Sequence, residues 1–274
     1  MTTPFSICKT CGVEHAHPLP TVCAICADER QYLPTDGMQR WVQLEELQTD
    51  HAIDYWEIEP GLYGLTPTPS VGIGHRPILV QTPHGNLLWD PPGYIDDNAI
   101  QRMQELGGIK WIAASHPHMY GVQIEWSMAF RGATVLINSR DSSWLARSAE
   151  VVEPWEGNVE LAPGLNLIQV GGHFMGSAVV HWTGQDGKGV LLSSDTINPV
   201  QAKGWVTFLR SYPNRLPLSG GTVRRIADQV LELDFDRLYG NFHDQPITAG
   251  AREAVQRSAE RFIAWVSGEY DHLT

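Results

Sequence analysis

The 274-residue sequence lacks a long apolar segment and has no surplus of basic residues. No run approaches the roughly 18 apolar residues that a membrane-spanning helix needs. The N-terminus, MTTPFSICKTC, has no basic stretch followed by an apolar one, so no secretory signal is expected. Basic residues number 19 against 31 acidic ones, and the formal net charge is −12. That balance disfavours nucleic acid and anionic membranes as partners, because either requires a clustered basic surface. We therefore expect a cytoplasmic protein.

Cysteine is also scarce, and all four cysteines fall within the first 26 residues. They form two C-x2-C pairs separated by eleven residues: Cys8, Cys11, Cys23 and Cys26. Two residues between thiolates let one tight turn aim both sulfurs at one ion, and two such turns complete a tetrahedral zinc site. Two disulfides or a redox pair are the alternatives, and His15 or His17 could replace a thiolate. We predict a structural zinc ion.

The segment PTDGMQ, residues 34–39, is rich in residues that break helices and strands and indicates a domain boundary. We predict a zinc ribbon over residues 1–36 and a second domain over residues 37–274. Within the second domain, short apolar runs alternate with amphipathic helical patterns. The clearest helices are expected near residues 96–107, 222–233 and 248–266, and a hairpin is expected over residues 76–90. This alternation predicts an α/β fold whose sheets are covered by helices.

Polar residues of metal-binding types follow several predicted strands directly. They are His116 and His118 after IKWIAAS, His173 after LNLIQVGG, Asp195 after GVLLSS, and His243 after DRLYGNF. If the strands are in register, these side chains meet at one edge of the fold. Imidazole and carboxylate together suit zinc, iron or manganese. His116 and His118 are two residues apart in what reads as an extended segment, and Pro117 stiffens it, so this pair is expected to chelate one ion.

The order SHPH, GGHFMGS, SSDTI and a terminal strand with FH resembles the metallo-β-lactamase superfamily. The resemblance covers roughly residues 53–243. It implies an αββα sandwich with a metal centre at the edge between its two sheets, and the activity of a hydrolase acting on a small-molecule substrate. It assigns His116, His118 and His173 to the first metal site. It makes Asp195 the bridging carboxylate, His243 the last histidine of the second site, and Asp90 a supporting residue behind the metal loop.

The sequence departs from the family's H-x-H-x-D-H motif at two positions. Tyr120 stands where the motif has an aspartate, and Gly121 stands where it has a histidine of the second site. A phenol is a poor zinc ligand at neutral pH and glycine has no side chain. We therefore expect one active-site metal, with Asp195 as fourth ligand, water-holding partner or general base. Tyr120 is a candidate donor to a developing oxyanion.

Three functions remain open from the sequence. The first is a mononuclear hydrolase of an ester, thioester, lactone or phosphodiester. The second is a degenerate member that binds a ligand or partner through ribbon and pocket without catalysis. The third, a nuclease, is disfavoured by the net charge of −12.

The segment between Asn198 and Gly221 is long, rich in aromatic residues and interrupted by prolines. Such a loop is typically a lid or a binding loop. Its aromatic residues Trp205, Phe208 and Tyr212 are candidates for a pocket mouth, with Arg210 or Arg215 meeting an anionic group. The alternative is a segment that packs over the sheet or makes a homodimer contact.

Overall fold

The computed structural model describes residues 4–242 and 246–274, which form two compact units. The first unit runs to Trp155 and the second begins at Glu156. His243 lies outside the described residues, so its predicted role as a ligand stays a prediction.

The first unit begins with a small antiparallel sheet that carries the first cysteine pair. Its elements are β1 (Phe5–Cys8), β2 (Glu14–Ala16), the short helix α1 (Ala24–Ala27) and β3 (Trp41–Val42). The strand order is β2-β1-β3, with Cys8 opposite Trp41. Strand β3 follows residue 36, so the sheet of the ribbon includes residues on both sides of the predicted boundary. That boundary stays a prediction.

The rest of the first unit is built around a seven-stranded sheet in the order β10-β9-β8-β7-β6-β5-β4. Its elements are α2 (Leu44–Leu47), β4 (Ala52–Glu59), β5 (Leu62–Thr68), β6 (Ile78–Val80), β7 (Leu87–Trp89), α3 (Asp97–Glu105), β8 (Trp111–Ala113), a 3-10 turn (Pro117–Met119), α4 (Gln123–Ala129), β9 (Thr134–Asn138), a second 3-10 turn (Ser139–Trp144) and β10 (Val152–Trp155). The predicted hairpin is confirmed as β6 and β7, and the first predicted helix as α3, which the side chain of Asp96 caps at Ala99.

One hydrophobic core serves both the ribbon and the large sheet of the first unit. Ile7, Val13 and Ile25 of the ribbon belong to the same buried cluster as Leu88 and Ile112 of the sheet. Strands β7 and β8 are apolar at nearly every position because both faces of these central strands are buried. The ribbon is thus an integral part of this unit.

The second unit contains a five-stranded sheet in the order β11-β12-β13-β14-β19. Its elements are β11 (Asn158–Ala162), β12 (Leu165–Gln169), β13 (Ala178–Trp182), β14 (Val190–Leu192), a 3-10 turn (Ser194–Thr196), β15 (Asn198–Pro199), β16 (Val206–Thr207), β17 (Leu209–Ser211), β18 (Leu216–Pro217), α5 (Gly220–Leu231), β19 (Arg237–Tyr239), α6 (Ala251–Val266) and a last 3-10 turn (Asp271–Leu273). The long segment after Asp195 is ordered as two small two-stranded sheets, β15 with β16 and β17 with β18.

The two predicted helices of the second unit are confirmed as α5 and α6. The stripe of Val223, Ile226 and Val230 on α5 is buried as its spacing predicts. Val266, the last residue of α6, is 41% exposed, because the packed face of the helix ends before it. Within the described residues, no helix is long and apolar enough to cross a membrane.

Candidate metal centres

The four cysteines form one buried cluster in the first unit. Their sulfur atoms all lie within 4.8 Å of one another. Cys8 Sγ is 3.7 Å from Cys26 Sγ, and Cys11 Sγ is 3.8 Å from Cys23 Sγ. A disulfide needs a separation of about 2.05 Å, so these cysteines are free and the two-disulfide alternative does not describe the structure. Four soft sulfur donors facing a common centre fit one tetrahedral zinc ion.

Hydrogen bonding within the cluster favours the thiolate form at Cys8 and Cys23, whereas the pKa values of Cys11 and Cys26 are raised. The hydrogen bond from Cys11 lowers the pKa of Cys8 to about 6 and also lowers the pKa of Cys23. The hydrogen bond with Cys23 raises the pKa of Cys11 well above its usual value, since Cys11 acts as the proton donor. Thiolates are the form that binds metal, so the lowered pKa values favour metal binding at Cys8 and Cys23.

Two polar side chains surround the sulfur atoms. Gln39 Nε2 donates to Cys8 Sγ at 3.2 Å, and Gln39 Oε1 accepts from the Cys23 amide at 3.1 Å. His15 Nε2 lies 3.3 Å from Cys23 Sγ, where its N–H can donate to a thiolate. Sequence reasoning missed Gln39 because it lies in the breaker-rich segment that indicates a domain boundary. Such donors stabilise metal-bound thiolates.

His116 and His118 lie side by side directly after β8. Their ring centroids are 4.9 Å apart, and they are 1% and 2% exposed. The extended segment expected here is wrong: His116 is extended, but Pro117 begins a 3-10 turn. Proline suits that first position because its missing N–H would have had no partner within the turn. His116 Nδ1 shares a hydrogen bond of 2.9 Å with Ser115 Oγ, which orients the ring.

Asp90 supports this loop from behind. It follows β7, is fully buried, and its Oδ1 accepts a hydrogen bond of 2.6 Å from the Ser115 amide, one residue before His116. Its backbone has a φ of +54°, a conformation that asparagine and aspartate tolerate better than most residues. His75 Nε2 donates to the Asp90 carbonyl at 3.0 Å and so holds the same turn. The contact is of the kind that the family resemblance implies, and the role of Asp90 in metal binding stays a prediction.

Tyr120 and Gly121 are both held by the packing of the first unit. The Tyr120 hydroxyl is buried and donates to the Asp141 carbonyl at 3.2 Å, and burial raises the pKa of Tyr120 well above its usual value. Gly121 has a φ of +52°, and a β-carbon there would lie 2.2 Å from the Pro91 carbonyl oxygen and 2.6 Å from that of Pro92. A histidine therefore does not fit at position 121 without displacing backbone.

His173 and Asp195 come together in the second unit. His173 follows Gly171 and Gly172 after β12, and its Nδ1 donates to the Leu209 carbonyl at 3.2 Å. A carbonyl only accepts, so Nδ1 carries the proton and Nε2 keeps the lone pair that a metal needs. His173 Nε2 is 3.9 Å from Asp195 Oδ2, and both side chains are almost completely buried. These two predicted ligands thus face each other.

Tyr212 secures this pair. Its hydroxyl donates to the Asp195 carbonyl at 2.8 Å, and its ring stands edge-on to His173 with centroids 5.9 Å apart. Burial raises the pKa of Tyr212 well above its usual value, so the phenol stays protonated as a donor. Asn241 also donates to Ser194 in the turn that carries Asp195.

A cavity of about 570 Å³ lies within the second unit. It is lined by Asn198, Pro199, Val200, Gln201, Thr207, Leu209, Tyr212, Arg215, Gly240 and Phe242. Of the predicted pocket residues, Tyr212 and Arg215 are among these. Phe208 is instead fully buried against Phe262, and the Trp205 ring lies under Arg261 at 3.5 Å.

Comparison with solved structures gives the class of fold. DIM-1 metallo-β-lactamase matches 76% of this chain and 97% of its own chain with a TM-score of 0.57 and 12% identity. TMB-1 matches 77% and 98% with a TM-score of 0.56 and 13% identity. A B3 metallo-β-lactamase with an active-site glutamic acid matches 78% and 91% with a TM-score of 0.53 and 17% identity. The expected fold class is confirmed: the chain has the metallo-β-lactamase fold, preceded by a four-cysteine knuckle.

No protein-family model matches the chain. Its sequence is 42% identical over 275 residues to YmaE, an uncharacterized protein of Bacillus subtilis (strain 168), covering 98% of this chain and 99% of that protein. The chain therefore belongs to the same family as YmaE.

Proposed function

We propose that this chain is a metal-dependent hydrolase in which His116, His118 and His173 hold one ion. Asp195 is the fourth ligand or the partner of the bound water. The observation that supports this most is the arrangement of His173, whose Nδ1 is committed to the Leu209 carbonyl and whose Nε2 lies 3.9 Å from the Asp195 carboxylate. The proposed donor set is three imidazoles and one carboxylate, a combination that suits zinc, with iron or manganese as alternatives.

A divalent ion with an open coordination position would lower the pKa of a bound water to about 7. The chain's own residues hold Asp195 and His173 in place. If Asp195 is not itself a ligand, its carboxylate would accept the water's proton, and Tyr212 fixes the backbone of Asp195 by a hydrogen bond of 2.8 Å. His173 cannot rotate without losing its bond to Leu209.

The substrate that we propose is a small-molecule ester, thioester, lactone or phosphodiester. The cavity of about 570 Å³ supports this, because pockets for small molecules typically span roughly 300–1,000 Å³. Arg215 in its wall offers a positive charge to an anionic substituent. Tyr120 as an oxyanion donor is part of the proposal, although its hydroxyl would first have to release the Asp141 carbonyl.

The test is the metal content per chain, measured by elemental mass spectrometry. We expect two ions in the unaltered protein, and one after His118→Ala or after Asp195→Ala combined with His173→Ala. Cys8→Ser combined with Cys11→Ser removes the other ion. Turnover of a panel of esters, thioesters, lactones and phosphodiesters should be lost in the histidine variants. Histidine variants that keep both ions would contradict the proposal, and a third ion in the unaltered protein would contradict the mononuclear assignment.

A second candidate is a metal-binding member without catalysis, which binds a ligand or partner through ribbon and pocket. Tyr120 favours it, because position 120 lacks the carboxylate that the family motif supplies and the Tyr120 hydroxyl is bound to the Asp141 carbonyl. Full metal content with no turnover on the panel would select this candidate.

We also propose a reducing, cytoplasmic environment, which the cluster of four free and buried thiols supports. The homodimer stays a prediction, to be measured by light scattering coupled to size-exclusion chromatography.

A further inference from the structure

The ribbon is hydrogen-bonded to the segment that follows His116 and His118. Glu14 in β2 is 2% exposed. Its amide donates to the Gly121 carbonyl at 3.0 Å, and its Oε1 accepts from the Ile124 amide at 2.7 Å. One residue of the ribbon therefore holds both ends of residues 121–124 by its backbone and its side chain. These are contacts across more than 100 residues of sequence.

A buried arginine completes this attachment. The guanidinium of Arg147 pairs with Glu14 and also with Glu125 Oε1 at 2.7 Å. It lies over the ring of Phe5 in β1, 4.0 Å from the centroid. Arg147 and Glu14 are both almost completely buried, so the loss of either side chain would leave the other charge buried without a partner of opposite sign. The ribbon strands and the start of α4 are thereby fixed to each other.

The cysteine turn itself touches the backbone of the sheet loops. A β-carbon on Gly72 would lie 2.6 Å from the carbonyl carbon and oxygen of Cys11, and one on Gly93 would lie 2.6 Å from the Gly12 oxygen. These glycines allow backbone to pack against backbone. A shift of the metal-binding turn at Cys11 would therefore move the loop that includes Pro91 and Pro92, which in turn encloses Gly121.

We propose that the four-cysteine ribbon positions the His116–His118 loop through Glu14, so that an ion in the cysteine cluster raises the affinity of the histidines for their own ion. The inference rests on the proposed metal-binding role of these histidines. Glu14 is a positioning residue that acts through residues 121–124. Couplings between two sites in a protein are typically about 5–150-fold in affinity, and we expect an effect in that range.

The experiment uses the full chain with zinc in the ribbon and Co²⁺ as the probe of the histidine site. The dissociation constant and the visible absorption of bound Co²⁺ are measured for the unaltered protein, Glu14→Ala and Glu14→Gln. Glu45→Gln is the matched control, because Glu45 is an exposed glutamate of the same unit. Amide hydrogen exchange over residues 114–124 is followed in the same samples before Co²⁺ is added.

We expect Glu14→Ala to weaken Co²⁺ binding about 5–150-fold, to change the cobalt absorption spectrum and to speed exchange at residues 121–124. Glu14→Gln keeps one oxygen acceptor for the Ile124 amide and should recover part of the affinity. Glu45→Gln should match the unaltered protein. If Glu14→Ala does not fold, Arg147→Lys gives the second test, since it keeps the charge but cannot reach both carboxylates, and it should weaken binding by a smaller factor.

A folded Glu14→Ala protein with zinc in the ribbon and an unchanged Co²⁺ dissociation constant would overturn the inference. In the absence of that variant, an unchanged constant in both Glu14→Gln and Arg147→Lys would do so. The proposed function would still stand if His118→Ala abolished Co²⁺ binding. An unaltered protein whose Co²⁺ binding does not depend on His118 would overturn the function and the inference together.

Discussion

Gly121→Ala provides the sharpest test of how the segment after β8 is packed. The new β-carbon would lie 2.2 Å from the Pro91 carbonyl oxygen and 2.6 Å from that of Pro92, and neither is the end of a flexible side chain. A non-glycine residue in the left-handed region costs about 1–2 kcal/mol. Overpacking of a closed site adds about 1–3 kcal/mol. The free energy of unfolding should therefore fall by about 2–5 kcal/mol.

Gly37→Ala is the matched control for this substitution. Gly37 also has a positive φ, of +69°, but nothing lies within 4 Å of its added β-carbon. The free energy of unfolding of Gly37→Ala should fall only by the cost of the left-handed backbone conformation, about 1–2 kcal/mol. Urea denaturation of the metal-loaded proteins, followed by circular dichroism, measures the difference between the two variants. If Gly121→Ala loses no more stability than Gly37→Ala, the enclosure of Gly121 by the proline carbonyls is wrong.

Three further variants test single contacts. Asp90→Ala should lower the metal affinity of the histidines about 10–100-fold. Asp90→Asn should keep most of that affinity, because an amide oxygen still accepts from the Ser115 amide. Equal losses of affinity in the two variants, measured by calorimetry, would contradict this. Tyr120→Phe should lower the free energy of unfolding, measured by urea denaturation, by about 1 kcal/mol, because the hydrogen bond to the Asp141 carbonyl is lost. A loss in kcat of about 100-fold at full metal content would instead make Tyr120 a catalytic donor. Arg215→Gly should raise the melting temperature, because Arg215 is exposed with a φ of +53° and glycine relieves about 1 kcal/mol there; an unchanged or lower melting temperature would contradict the assignment of strain.

The elements that the sequence predicts well are those with a strong local signal. Helix α3 has a capping aspartate at its start, and α5 has an apolar stripe at helical spacing. The hairpin of β4 and β5 was not predicted, because β4 mixes charged and aromatic residues and most of its side chains are only partly buried or exposed. Its strands are defined by their pairing with each other, which local composition does not report.

The candidate ligands were identifiable from residue type and from their place after strands. Their supporting contacts were not, because these depend on pairs that are distant in sequence. Glu14 lies between the cysteine pairs and reads as an ordinary surface charge, yet it binds the amide of Ile124. Leu209 accepts from His173 through a backbone carbonyl, which no side-chain pattern can reveal.

Combining Tyr120→Asp with Gly121→His restores the family motif. The motif and the structure predict different numbers of bound ions for this double variant. From the motif alone, the two substitutions return the missing ligands and should add an ion per chain. The structure predicts no additional ion. A histidine at position 121 would drive its β-carbon into the carbonyls of Pro91 and Pro92, and an aspartate at position 120 would bury a carboxylate beside the Asp141 carbonyl.

The combined cost in the free energy of unfolding should exceed that of Gly121→Ala by about 1–3 kcal/mol, the usual penalty for a buried polar group without a partner. Elemental mass spectrometry and urea denaturation of the double variant measure both quantities, with Gly121→Ala as the reference. An added ion with stability retained would refute this reasoning. If no ion is added, backbone packing explains why Tyr120 and Gly121 stand in place of the motif residues. Gly121 belongs to the segment that Glu14 binds to the ribbon.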